Sequence, residues 1–94
     1  MPQLPKDALT LFYLPHCPHC RLALKCLDEL KAENEAYASI RVSMVDEAKE
    51  KDFANQFDYY YVPTFYLGED KLFEGHMEKA DVKAVLDKAL SSIG

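Results

Sequence analysis

Between residues 8 and 33 the chain changes its apolar period across a short junction. "ALTLFYL" is a continuous apolar, β-rich run, "PHCPHC" interrupts it, and "RLALKCLDEL" then repeats its apolar positions at helical spacing. The run 8–14 reads as a buried strand. Ala23, Leu24, Leu27 and Leu30 form one stripe of a helix from Pro18 to about Glu33. Pro18 suits the first helical turn, where its missing N–H leaves no bond unmade. A second strand is expected at "SIRVSMV", 39–45, in which Ile40, Val42 and Met44 alternate with polar neighbours. Strand, helix and strand in close succession form a parallel pair joined by a right-handed crossover, which restricts the topologies open to the chain.

The remaining segments complete one domain over residues 1–94, without linker or repeat. "EAKEKDFANQF", 47–57, reads as a modest helix with Ala48, Phe53, Ala54 and Phe57 inward. "PTFYL" (63–67) and "KLFE" (71–74) are strands, and "GED" between them signals a hairpin. Residues 79–91 carry Val82, Val85, Leu86, Ala89 and Leu90 on one stripe of a last helix. The order is βαβαββα, an α/β arrangement that asks for a mixed sheet with helices on both faces.

Composition removes several classes of function. With 49% apolar and 29% charged residues the chain can build a core, and at 94 residues it buries roughly 60–70% of its unfolded surface. A net charge of −5 argues against nucleic-acid partners, which call for a surplus of Lys and Arg. No apolar run approaches the ~20 residues of a membrane span. "MPQLPKDALTLFYL" lacks the basic start, long apolar block and small-residue cleavage site of a signal peptide. Three cysteines, two of them in C-x-x-C, do not make a secreted disulfide framework. The expected setting is a reducing cytoplasm, with the chain acting as a monomer.

The junction itself carries the chemistry. Cys17 falls at about the helix N-cap, facing unpaired backbone N–H groups and the positive end of the helix dipole. Such a place favours thiolate over thiol. Cys20 lies nearly one turn inside the helix, close enough to close a small disulfide ring. Cys17 can therefore attack a substrate disulfide, and Cys20 can resolve the mixed disulfide. His19, between them, can donate to the thiolate or add positive charge, which stabilises the reduced form and makes the disulfide more oxidising.

A zinc site is the competing reading of the same residues. It wants four ligands, usually as two separated pairs. Here His16, Cys17, His19 and Cys20 crowd into five residues, and the distant candidates are Cys26 and His76. Redox chemistry is favoured. Cys26 reads as a half-buried small apolar residue on the flank of the helix stripe, and His76 and Arg21 as surface residues.

"CPHC" after a strand, followed later by "YYYVPTFYL", resembles the thioredoxin and glutaredoxin superfamily. The resemblance covers nearly the whole chain and implies a thioredoxin-like fold with a four-stranded mixed sheet. It makes Cys17, Pro18, His19 and Cys20 the catalytic segment. It also implies that Pro63 is cis and that Val62, Pro63 and Thr64 offer backbone to an extended substrate, with His16, Tyr61 and Gly75 beside the groove. Residues 75–90 resemble the closing glycine and final helix of bacterial thioredoxins, whereas the short N-terminus and the active-site pattern look more like a glutaredoxin. Among the three tyrosines, Tyr59 is expected in the core, Tyr60 partly exposed, and Tyr61 over the groove.

The departures from the family pattern are specific. His16 stands where thioredoxins carry Trp, and Leu11 stands where they carry a buried acid, so that proton route to Cys20 is missing. Glutaredoxins hold glutathione partly through a glycine pair and following acids, and here only Gly75 and Asp81 are left to serve. The tetrapeptide is also that of a periplasmic thiol oxidant family whose helical insert has no counterpart here; it bears on redox poise. The implied function is thiol–disulfide exchange with protein or low-molecular-weight disulfides. It uses no organic cofactor, takes electrons from a reductase or thiol donor, and recognises glutathione weakly as a co-substrate. An iron–sulfur or zinc-binding glutaredoxin-like module without redox turnover is the alternative.

Overall fold

A computed structural model describes residues 4–93. Strand β1 (Leu9–Tyr13) is followed by helix α1 (Pro18–Glu33), the short α2 (Glu35–Ala38), β2 (Val42–Asp46) and the short α3 (Lys51–Ala54). Strands β3 (Thr64–Leu67) and β4 (Asp70–Glu74) then lead into α4 (Lys79–Ile93). The strands form one sheet in the order β2-β1-β3-β4. β1 runs parallel to β2, with Tyr13 opposite Asp46, and antiparallel to β3, with Phe12 opposite Thr64. The fold is thioredoxin-like: a mixed four-stranded sheet with helices on both faces.

Alternation along β1 sends its side chains to two cores. Leu9 and Leu11 join Phe65 and Leu67 beneath α1, α2 and α4, where Leu27, Leu30, Tyr37, Val82, Val85 and Leu86 cover them. Phe12 faces the other way, against Val45, Ala54, Tyr66 and the half-buried Phe53, Phe57 and Tyr59. Its ring centroid lies 4.8 Å from Tyr59 and 5.3 Å from Phe57, so this smaller core is largely aromatic. β1 and β3 therefore read as continuous apolar runs because both of their faces are covered.

The outline expected from periodicity holds, with local differences. α1 spans the predicted residues, but Leu24 is only partly buried and Cys26 sits inside the stripe at 5% exposure. The expected strand 39–45 begins later, at Val42, because Asn34 caps an unforeseen turn of helix by accepting from Ala36 N–H at 2.9 Å. Ile40 is buried, yet it lies before the strand, its N–H bonded to Tyr37 O. Met44, one of the alternating apolar residues of this strand, is 41% exposed, and β2 is an edge strand of the sheet. The helix expected over 47–57 is confined to Lys51–Ala54. Asp46 explains the loss: its side chain accepts from Ala48 and Lys49 N–H, which holds that stretch in a turn and leaves Ala48 exposed. The β3–β4 hairpin turns at Gly68 and Glu69, where Gly68 supplies the positive φ of 58°.

Candidate functional site

Parallel pairing brings the C-terminal ends of β1 and β2 together, and the loop after β1 delivers the C-x-x-C to that edge. Cys17 is the N-cap of α1, extended at φ −77° and ψ 122°, with Pro18 starting the helix. The turn before it is closed by Cys17 N–H donating to Leu14 O at 3.1 Å. Cys17 is half-buried and Cys20 fully buried, and neither is bridged. The two thiols thus occupy different environments although three positions apart.

Those environments pull the thiols in opposite directions. The backbone N–H of Cys20, and more weakly that of His19, face the Cys17 sulfur and hold its pKa below the ordinary cysteine value; partial burial opposes them. The Cys17 side chain closes no capping hydrogen bond. Burial pushes Cys20 up to about 11, and the Cys17 sulfur and the Glu47 carboxylate add to the rise. Leu14 N–H works against it by donating to Cys20 Sγ at 3.4 Å. The helix terminus thus favours the thiolate at Cys17, and burial favours the thiol at Cys20.

The other groups expected at the site fall into two sets by their contacts. His16 and Cys17 line a cleft of about 520 Å³ with Leu14, Pro15, Asp46, Ala48 and Lys49. In the second set the Val62–Pro63 peptide bond is cis, Pro63 and Thr64 are buried, and Thr64 Oγ1 donates to Tyr61 O. Gly75, at φ 95°, donates its N–H to Pro63 O at 2.9 Å and places its backbone against Tyr61.

Tyr60 and Tyr61 are 84% and 70% exposed, so their rings stand in solvent; Tyr61 does not lie down as a cover over the groove. The reason is the anchoring of their backbone: Glu74 accepts from both N–H groups, from Tyr61 at 3.0 Å, and turns the side chains outward. Asp81 accepts from Glu78 N–H at 2.9 Å, which commits it to the first turn of α4. Arg21 is exposed, as expected.

Three residues not foreseen as functional belong to this region. His76, read as a plain surface residue, places its Nδ1 2.9 Å from Nδ1 of His19, the rings nearly perpendicular. Glu47 accepts from the Tyr59 hydroxyl at 2.8 Å and lies within reach of the Cys20 charge. Glu74 ties the Tyr60–Tyr61 backbone to Lys71. Glu47 had a signal in the sequence: it follows β2 directly, and the C-terminal ends of parallel strands converge on the site. His76 and Glu74 had none, since only the fold brings residues 57 and 13 positions apart into contact. Among the described residues no group of three His, Cys, Asp or Glu side chains is arranged to hold a metal ion.

Comparison with known proteins adds an independent line. The family model described as Thioredoxin matches residues 3–92. Protein disulfide isomerase-like 1-1 of Arabidopsis thaliana is 31% identical over 94 residues, covering 95% of this chain and 19% of that protein. Protein disulfide-isomerase of Ricinus communis is 28% identical over 87 residues, covering 88% of this chain and 18% of its own length. The chain thus spans about a fifth of the length of these relatives. The solved thioredoxin of Malassezia sympodialis superposes with a TM-score of 0.69 at 13% identity, covering 92% of this chain and 77% of the other.

Proposed function

The chain belongs to the thioredoxin family, and on that premise we propose that it exchanges disulfides with extended polypeptide substrates through Cys17 and Cys20. The carrying observation is the split between the thiols: Cys17 at a helix N-cap with its pKa lowered, Cys20 buried with its pKa raised to about 11. A dithiol tuned in this way reacts in a fixed order. The Cys17 thiolate attacks one sulfur of the substrate disulfide; that bond breaks, a Cys17–substrate disulfide forms, and the departing thiolate takes a proton. Cys20 then loses its proton and attacks Cys17 Sγ. The second substrate sulfur leaves as a thiol, and the Cys17–Cys20 disulfide holds the oxidising equivalent of the two electrons transferred. Run backwards, the same steps oxidise a substrate dithiol.

Polypeptide disulfides suit the surroundings better than glutathione. A peptide running beside Cys17 meets the cleft of about 520 Å³, and the exposed Tyr60 and Tyr61 offer further contact area. Tyrosine supplies amphipathic contact area without demanding one partner sequence. Glutathione would need groups for its γ-glutamyl end, and Asp81 is engaged in capping α4. The relatives' name, protein disulfide-isomerase, points toward the same substrate class.

The test is stoichiometric. Reduced protein is mixed with a peptide carrying one intramolecular disulfide, and free thiols and masses are followed. One peptide disulfide should be reduced for each Cys17–Cys20 disulfide formed. Cys20→Ser should trap the peptide on Cys17, and a Cys17→Ser protein that still reduces the peptide would overturn the reading.

A further inference from the structure

His76 is held in place from three directions. Gly75, before it, is bonded to Pro63 O at 2.9 Å. Met77, after it, is fully buried in the larger core. Glu78, next along, begins the α4 cap: its N–H donates to Asp81, and its carbonyl accepts from Asp81 and Val82 N–H. The exposed His76 ring therefore stands on a fixed stretch of backbone. It reaches across to α1 and meets His19, the residue between the two reactive cysteines, with 2.9 Å between the Nδ1 atoms.

That contact restricts where hydrogen can sit. Two nitrogens 2.9 Å apart share one hydrogen, because two N–H groups would repel and two lone pairs would have nothing between them. The far nitrogen of His76, Nε2, lies 3.4 Å from the Glu78 carboxylate, which favours hydrogen on that nitrogen. The lone pair of His76 is then on Nδ1, and His19 Nδ1–H donates to it. We infer that His76 is a positioning residue for His19: it fixes the tautomer and orientation of the imidazole carried between Cys17 and Cys20 in the chain. This role rests on the exchange reaction proposed above.

The charged groups around the pair can be named. Cys17, the N-cap of α1, and Cys20 flank His19 in the chain, and Glu78 and Lys79 follow His76 at the start of α4. Lys79 is already engaged by Glu33 at 2.7 Å and Glu29 at 3.6 Å of α1. Glu74, one residue before Gly75, is engaged by Lys71. Glu78 is therefore the carboxylate that reaches the histidine pair. With the His19 ring held along one edge, its dipole and any charge it carries stay at a fixed place relative to the Cys17 sulfur. A freely rotating ring would spread that field into solvent.

The experiment uses the full chain and the variants His76→Phe, His76→Asn, His19→Gly and the double variant His19→Gly/His76→Phe. Imidazole nitrogen NMR should place hydrogen on Nδ1 of His19 and on Nε2 of His76. Equilibration with glutathione redox buffers should show His76→Phe shifted roughly three- to tenfold toward the Cys17–Cys20 disulfide, since the reduced form has lost a fixed partner. The pH midpoint of Cys17 alkylation should rise in the same variant. His76→Asn, whose Oδ1 can accept from His19, should recover most of both effects, and His76→Phe should do nothing further once His19 is Gly. An unchanged equilibrium and midpoint in His76→Phe, or the same change persisting without His19, would overturn the inference while leaving the exchange reaction standing. A wild-type protein with no Cys17–Cys20 couple at all would overturn both.

Discussion

Leu14 donates its backbone N–H to Cys20 Sγ at 3.4 Å, and the carbonyl of the same peptide group, Tyr13 O, accepts from Glu47 N–H at 2.9 Å. One peptide plane at the end of β1 thus has the buried cysteine on one side and the end of β2 on the other. The sheet itself sets the surroundings of Cys20.

The two thiols should therefore separate cleanly on titration. Alkylation followed against pH should show Cys17 reacting with a midpoint below the ordinary thiol value, and Cys20, blocked from competing by its burial, titrating near 11. Cys17→Ser should leave only the slow, high-pH phase. Two phases of equal midpoint would mean that the helix terminus does not discriminate between the sulfurs.

Glu47 raises the Cys20 pKa through its charge, so Glu47→Gln should lower it. In a trapped Cys17 mixed disulfide, release by Cys20 should then become faster near neutral pH. Tyr59→Phe removes the hydroxyl that donates to Glu47, and should destabilise the protein by about 1 kcal/mol. Denaturant unfolding checks the second effect, and the decay of the trapped species checks the first. A slower release in Glu47→Gln would mean that the carboxylate takes the Cys20 proton rather than merely opposing its loss.

Acid should loosen the Tyr60–Tyr61 segment before it unfolds the core. Lys71, then the Tyr60 and Tyr61 N–H groups, hold Glu74 down to about 2 from an ordinary 4.5. The unfolded chain binds a proton on this group at higher pH than the folded one does. The stabilisation is complete above the ordinary value and is lost as pH falls from about 4.5 toward 2. Amide exchange at Tyr60 and Tyr61 should rise across that window. In Glu74→Gln it should start high and stay flat.

Core substitutions should rank by burial. Leu86→Ala empties a fully buried position between α4 and the sheet and should cost about 2–5 kcal/mol. Met44→Ala, on the exposed end of an edge strand, should fall within ~0.5 kcal/mol of wild type. Equal losses in urea unfolding would contradict the observed faces of β2.

Glutathione-coupled reduction of a small mixed disulfide should be slow, because Asp81 is committed to its helix cap. Since Tyr61 stands in solvent, Tyr61→Thr should change that rate by less than about threefold, ~0.7 kcal/mol. A large gain would return Tyr61 to the groove.

Legibility in the sequence followed how local each signal was. β1, α1 and α4 could be read because their apolar periods are long and each begins or ends at a recognisable residue: Pro18 opens α1, and Gly75 precedes α4. Cys17 and Cys20 could be placed because the strand-to-helix junction fixes both. The segment 47–57 misled because its composition favours helix while one side-chain oxygen, Asp46 Oδ1, accepts from both Ala48 and Lys49 N–H and holds a turn. Tyr61 misled for a similar reason: a distant carboxylate, Glu74, decides which way its backbone faces. His76 shows the limit most plainly. Its neighbours in sequence are ordinary, and its partner 57 positions away is met only when α1 and the segment before α4 come together.

The strand order has a consequence for how the chain acquires its reactivity. β2, β1 and α1 form one local unit, and β3, β4 and α4 another; in the sheet they join only through β1 and β3. Cys17 and Cys20 belong to the first unit, while Tyr61, Pro63, Gly75 and His76 belong to the second. A chain folding from its N-terminus can form the helix terminus that sharpens Cys17 before the far wall of the site exists. Joining the halves closes a long loop, a slower event than forming either hairpin or helix. The β1–β3 seam is thus what brings the segment from Pro63 to His76 to the strand that leads into Cys17.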